Sequence, residues 1–272
     1  MRLRQFSWTP KGGTSERLFF WYREKHMSLK KHLDDLESFR ATNNEEGIAN
    51  TCFKIGDIYL EKGKWDEAKE YLREAKAICG KLGSAEGCAL TAIGLGDIYR
   101  NTQSPETART HYKQALDFFE KQEDEKNIAN LMARLGELAR DQGDLSQALE
   151  AFSRAKDICQ VHQDQLGIAH FNEKMALVYR DQEEFELAVE RFEDALKYYE
   201  QHRVADRLAF VLTGLGELQY KAGQPKKALE RLSQALNLYQ KLGARRPLEL
   251  VTAEIAAIEA ALEDEKKSVD KR

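Results

Sequence analysis

Arg100, Arg140 and Arg180 stand forty residues apart, and their chemistry is recognition rather than reaction. A guanidinium offers a planar fork of donors that grips a carboxylate through two parallel hydrogen bonds. A row of such forks suits an extended segment carrying acidic groups. Bond-making chemistry has no comparable signature. The six histidines (His26, His32, His111, His162, His170 and His202) are scattered, without the HExxH pairing of a metallohydrolase. No phosphate-binding GxxxxGK[ST] loop, GxGxxG turn or GxSxG elbow occurs. Cys52, Cys79, Cys88 and Cys159 form no CxxC pair and have no ligand-like spacing with histidine. The 46 acidic residues give many accidental pairs on a helical surface, and none is marked as a catalytic dyad. No catalytic residue, metal ligand or cofactor is expected.

The arginines are aligned by a repeat that runs through most of the chain. Gly56, Gly96, Gly136, Ala176 and Gly216 form one column of small residues at a period of 40. Ala68, Ala108, Ala148, Ala188 and Ala228 form a second, and Ala75, Ala115, Ala155, Ala195 and Ala235 a third. A fixed period of this length marks a stacked solenoid. Each unit divides into two helical patterns. The first starts at Ala49, Ala89, Ala129, Ala169 or Ala209, counted here as position one. It ends at Gly63, Gly143 or Gly223, residues suited to the left-handed conformation that closes a helix, while Gln103 and Glu183 hold that place in the other copies. Ser104-Pro105 and Pro225 supply start signals for second helices. A small residue at position eight lets the partner helix come close, so Leu72, Tyr112, Phe152, Phe192 and Leu232 are expected to pack into the space it leaves.

A small position eight, a tyrosine at eleven, alanine at twenty, an aromatic or leucine at twenty-four and alanine at twenty-seven resemble the tetratricopeptide repeat. The resemblance spans 44–243, as 44–83, 84–123, 124–163, 164–203 and 204–243. The period of 40, against the family's 34, and the missing proline at the end of the second helix are similar to its long-helix branch. The resemblance implies an all-α fold, a right-handed α-solenoid of about five helix pairs with a capping helix at each end. It also implies that first helices line a concave groove that binds protein segments.

On that face the wheel places positions two, five, six, nine, twelve and thirteen. The candidate groove residues are Asn130, Arg134, Arg140, His170, Lys174, Arg180, Phe210, Tyr220 and Arg100. For Arg100 and Arg140 two readings stay open, because Asp97 and Glu137 precede them by three residues and can neutralise them along the helix. Arg180 lacks that neighbour, since Leu177 takes the acidic position, and Arg134 and Lys174 add charge beside it. Gly94 and Gly214 interrupt the basic column at position six. The resemblance also implies a test for chaperone C-termini, which some members clamp with lysine at five and asparagine at nine of the first repeat. Phe53 and Asp57 stand there, so that clamp is not expected.

Bulk properties agree with a binding role. The net charge of −4 implies no nucleic-acid face, and a mean hydropathy of −0.63 with no long apolar run implies no membrane span. Unpaired cysteines suit a cytoplasmic location. Residues 28–43 read as an N-terminal capping helix. Within 244–272, Leu248, Val251, Ile255, Ile258 and Leu262 make a stripe on a closing helix that ends in a charged tail. The stripe can cap the array of a monomer or join two copies as a dimer. Residues 1–27 carry six basic and two acidic side chains around Leu18-Phe19-Phe20-Trp21-Tyr22. They read as a disordered extension or as an aromatic anchor. The expected function is a non-catalytic scaffold or adaptor for a protein or peptide segment with acidic groups. The alternative is a peptide-sensing regulator whose solenoid changes curvature on ligand binding.

Overall fold

The computed structural model describes residues 29–269, and the basic, aromatic segment expected over 1–27 lies outside them. The described residues form twelve α-helices and no strand. They divide into two compact units at Ser104 and Pro105, inside the second expected repeat. The first unit holds α1 (29–41), α2 (Glu45–Glu61), α3 (Trp65–Leu82) and α4 (Ala85–Asn101). The second holds α5 (Pro105–Lys121), α6 (Glu125–Asp141), α7 (Leu145–Val161) and α8 (Gln165–Asp181). It continues with α9 (Phe185–Gln201), α10 (Ala205–Lys221), α11 (Pro225–Leu242) and α12 (Arg245–Val269).

The period of forty is built from two halves of twenty. A residue with positive φ recurs at that interval: Asn43, Gly63, Gly83, Gln103, Glu123, Gly143, Gln163, Glu183, Arg203, Gly223 and Gly243. At Gly143 (φ 79°) the backbone turns so that its N–H donates to the Arg140 carbonyl at 3.0 Å. The next N–H, of Asp144, donates to the Ala139 carbonyl at 2.9 Å. This pair of bonds satisfies carbonyls that the helix end leaves open. Asp144 then caps the following helix, its carboxylate accepting from the Gln147 N–H at 3.1 Å. Asn44, Ser84, Asp124 and Asp164 cap their helices in the same way. At these connections one residue thus ends one helix and starts the next, whereas Lys64, Glu184, Val204 and Gln224 start their helices without a side-chain cap.

Packing explains the small-residue columns. A Cβ added at Gly56 would lie 2.7 Å from the Leu72 side chain, one at Gly136 2.6 Å from the Phe152 ring, and one at Gly216 2.7 Å from Leu232. In these three repeats the first helix therefore meets its second helix at van der Waals closeness, as the columns predict. Leu72, Phe152, Phe192 and Leu232 are fully buried, as are the alanines Ala68, Ala75, Ala148, Ala155, Ala188, Ala195, Ala228 and Ala235. In the first unit Leu36 of α1 packs with Cys52, Ile55 and Ala75, and Arg40 forks onto Glu74 at 2.7 and 2.8 Å. In the second unit the α12 stripe joins the core of α8 to α11, with Val251 and Ile258 only 2% and 1% exposed. That stripe is spent on packing within its own unit.

Candidate functional site

Three first helices of the second unit, α6, α8 and α10, carry eight of the nine candidate residues, and Arg100 lies on α4 of the first unit. Lys174, Arg140 and Arg180 are bonded to carboxylates of neighbouring first helices. Lys174 Nζ donates to Glu137 Oε1 at 2.5 Å, linking α8 to α6. Arg140 Nε donates to Asp181 Oδ2 at 2.6 Å across the same two helices. Arg180 reaches Asp181 Oδ1 at 3.4 Å and Glu217 Oε2 of α10 at 3.4 Å. Arg134 donates to Asn130 Oδ1 one turn earlier on α6. The Lys174–Glu137, Arg140–Asp181 and Arg180–Glu217 pairs form a ladder of half-buried ion pairs running from helix to helix.

The ladder sets the partners of Arg180 and Arg140. Arg180 lacks an acidic residue three positions before it, yet it is paired, because its carboxylates come from the next residue and the next repeat. Arg140 is neutralised by Asp181 of the following first helix, while Glu137 takes Lys174. Charge balance therefore runs between helices. Positions five, six and nine are also less open than the wheel suggests. A Cβ at Gly94 would lie 2.8 Å from Leu72, and one at Gly214 2.8 Å from Phe192. Leu177 is 7% exposed and belongs to the core. Gly94 and Gly214 thus reflect packing against the preceding second helix and Leu177 belongs to the core, so packing accounts for the breaks they make in the charge columns.

Of the candidate residues, Asn130 on α6 and Phe210 and Tyr220 on α10 are exposed. Phe210 and Tyr220 are 39% and 42% exposed, whereas Val211, Leu212, Leu215 and Leu218 of the same helix are at most 2% exposed. Thr213, between them in sequence, bonds its hydroxyl to the Ala209 carbonyl at 2.9 Å. Further along the row a cavity of about 720 Å³ opens between α6, α7 and α8. Asn130, His162, His170, Cys159 and Phe171 line it, with Asp124 and Asp164 at its helix ends. Burial, then the charges of Lys174 and Arg207, push His170 down to about 4, so its ring is neutral at physiological pH. Burial and Asp164 push the Cys159 thiol up. A protonated thiol and a neutral imidazole lining one cavity do not make an activated nucleophile. No group of three or more His, Cys, Asp or Glu among the described residues could hold a metal ion. No helix of the described residues is long and apolar enough to cross a membrane.

One buried charge escaped the sequence reading. Glu173 occupies position five of α8, where Phe53, Ile93, Ala133 and Thr213 stand in the other repeats. Its side chain is 2% exposed and accepts from Arg207 Nη1 at 3.1 Å and Tyr199 Oη at 3.1 Å. Burial raises its carboxyl, with Arg207 and the Tyr199 hydrogen bond opposing. A carboxylate in an otherwise uncharged column was the visible signal.

A family model of the tetratricopeptide repeat matches residues 45–121, 87–160 and 167–241, which is more than half of the chain. With the helix pairs and small-residue contacts described above, the chain belongs to the tetratricopeptide repeat family, whose repeats build protein-interaction scaffolds. No curated protein matches the sequence. Among solved structures the chain resembles BtubC (BKLC) from P. vanneervenii, with 17% identity, a TM-score of 0.69, and coverage of 82% of this chain and 94% of that one. It resembles aspartyl phosphate phosphatase F from Bacillus subtilis at 15% identity and a TM-score of 0.71, covering 86% of this chain and 65% of that one. A putative kinesin light chain from Podospora anserina, with nearly identical TPR-like repeats, aligns at 18% identity and a TM-score of 0.59, covering 72% and 96%. At these identities the likeness is one of fold, an all-α solenoid of helix pairs.

Proposed function

We propose that the protein is a non-catalytic adaptor that holds a segment of a partner protein on the face made by α6, α8 and α10. The exposure of Phe210 and Tyr220 carries this reading, because two aromatic rings reach solvent on a helix whose Val211, Leu212, Leu215 and Leu218 are buried. Asn130 and His170 precede Phe210 at forty-residue intervals, so one face presents polar, then imidazole, then aromatic contacts. The paired state of Arg140, Lys174 and Arg180 removes the main support for an acidic partner. The internal use of the α12 stripe supports a monomer, and the four free cysteines support a reducing compartment such as the cytoplasm. A double variant, Phe210→Ser with Tyr220→Ser, tests the face. Affinity capture should lose the partners held by the parent protein while the unfolding midpoint stays near that of the parent. Capture of the same partners in unchanged amounts would count against the face.

A second reading, a regulator that senses a short peptide, draws on the cavity between α6, α7 and α8. Its volume of about 720 Å³ falls within the range of ligand pockets. Filling a cavity between three helices would change their packing angle, the step a curvature sensor needs. Small-angle scattering of the protein with and without a bound peptide separates the two readings.

A further inference from the structure

α10 and α12 begin forty residues apart, at Ala205 and Arg245, so α12 continues the row of first helices. In this row position six of one helix faces position nine of the helix before it. Lys174 and Glu137 show the register, with 2.5 Å between their charged atoms. One step later the same two positions hold Gly214 and Leu177. At the last step they hold Glu254 and Glu217, two carboxylates where an ion pair stood two helices earlier. Glu217 already reaches Arg180 at 3.4 Å. Burial and the charge of Glu217 push the half-buried Glu254 carboxyl up to about 7, and no cation of the described residues offsets them.

Apolar side chains around the pair are left uncovered by the described residues. Phe210, Tyr220 and Leu250 are 39%, 42% and 64% exposed. Leu250 stands forty residues after Phe210, at the same level of the next helix. Ala253, next to Glu254, and Ala257, one turn after it, are exposed too, and their small side chains let a second backbone approach closely.

We propose that this face of α10 and α12 docks an amphipathic segment of a partner protein whose lysine or arginine, flanked by apolar residues, sits between Glu217 and Glu254. The inference rests on the adaptor reading and names the chemistry of the partner. Charge complementarity selects the occupant. A cation gives Glu254 the partner that Glu137, Asp181 and Glu217 already have in the ladder. An acidic segment would add a third carboxylate. A wholly apolar one would bury Glu254 further with no compensation. The flanking apolar side chains rest on Phe210 and Leu250.

A phage-displayed library of random sixteen-residue peptides, selected on the full chain, tests the proposal. Enriched peptides are then made synthetically and titrated by fluorescence anisotropy against wild type, Glu254→Gln, Glu254→Lys and Phe210→Ala. Each variant is first checked for wild-type helicity and unfolding midpoint. The expected peptides carry Lys or Arg between apolar residues, and their Kd rises about tenfold with Glu254→Gln and more with Glu254→Lys. Changing the peptide's cation to glutamate should restore binding to Glu254→Lys. Enrichment of acidic peptides overturns the proposal, as do basic peptides that bind Glu254→Lys unchanged. If such peptides still weaken with Phe210→Ala, the charge pairing fails and the adaptor face stands. If no peptide is enriched, both fail.

Discussion

Replacing Arg207 by methionine isolates what a buried carboxylate costs in this array. Glu173 is 2% exposed at its side chain, and Arg207 is its only cationic hydrogen-bond partner among the described residues, at 3.1 Å. Removing one member of a buried ion pair typically costs about 3–5 kcal/mol, because the other charge is left uncompensated. Arg207 is itself 44% exposed, so solvent already screens part of the pair, and the Tyr199 hydrogen bond at 3.1 Å remains. A loss of about 2–3 kcal/mol at pH 7 follows. The pH dependence has a fixed sign. Burial raises the Glu173 carboxyl in the folded state, and loss of Arg207 raises it further. The folded protein then holds a proton that the unfolded chain releases, so stability falls as pH rises from the unfolded carboxylate value through the folded one. The cost of Arg207→Met should therefore shrink towards pH 4.5. In a Glu173→Leu background the same substitution should cost about 0.5 kcal/mol or less, since no buried charge is stranded. Urea unfolding of the four proteins of this cycle at pH 4.5 and pH 7 provides the measurement. A cost that is equal in both backgrounds, or constant with pH, would refute the reasoning.

Three further perturbations test the packing and the loops. Gly136→Leu places atoms where the Phe152 ring already stands 2.6 Å from a built Cβ, and the buried ring has nowhere to turn, so thermal unfolding should show a loss of about 1–3 kcal/mol. Glu183→Gly should stabilise by about 0.5–1 kcal/mol in urea titrations. It removes a left-handed penalty at φ 64° that exceeds the extra chain entropy of glycine. His170 is pushed down to about 4 by burial, Lys174 and Arg207, with Glu137 opposing. The unfolded chain thus binds a proton that the folded one refuses, and stability should fall as pH drops from about 6.5 towards 4. His170→Gln should remove up to about 1.4 kcal/mol per pH unit from that acid limb.

The sequence showed the fold because the residues that set it recur with the structure's own period. Gly136 and Phe152, sixteen residues apart, predicted a close contact that the structure contains. The half-period of twenty was harder to see, since Gln103, Glu123, Gln163, Glu183, Arg203 and Asn43 adopt the left-handed conformation without being glycine. The candidate site was legible as a set of helices but not as a set of free charges. A wheel drawn for one helix with one partner leaves position six open. Here each first helix also packs against the preceding second helix, so the buried arc is wider and Gly94 and Gly214 fall inside it. The ladder depends on the register between successive first helices. Arg140 finds Asp181 at a separation of 41 and Lys174 finds Glu137 at 37. Neither offset is a helical spacing, so intrahelical pairing rules could not locate them.

Site-specific photocrosslinking tests the partner-binding face most directly. A photoreactive phenylalanine at Phe210 or Asn130, on the first helices, is compared with one at the exposed Glu150 on α7. After irradiation in cells, adducts at Phe210 and Asn130 that share a partner, with none at Glu150, are the expected result. Adducts confined to Glu150, or equal at all three positions, would contradict a partner held on the face of α6, α8 and α10.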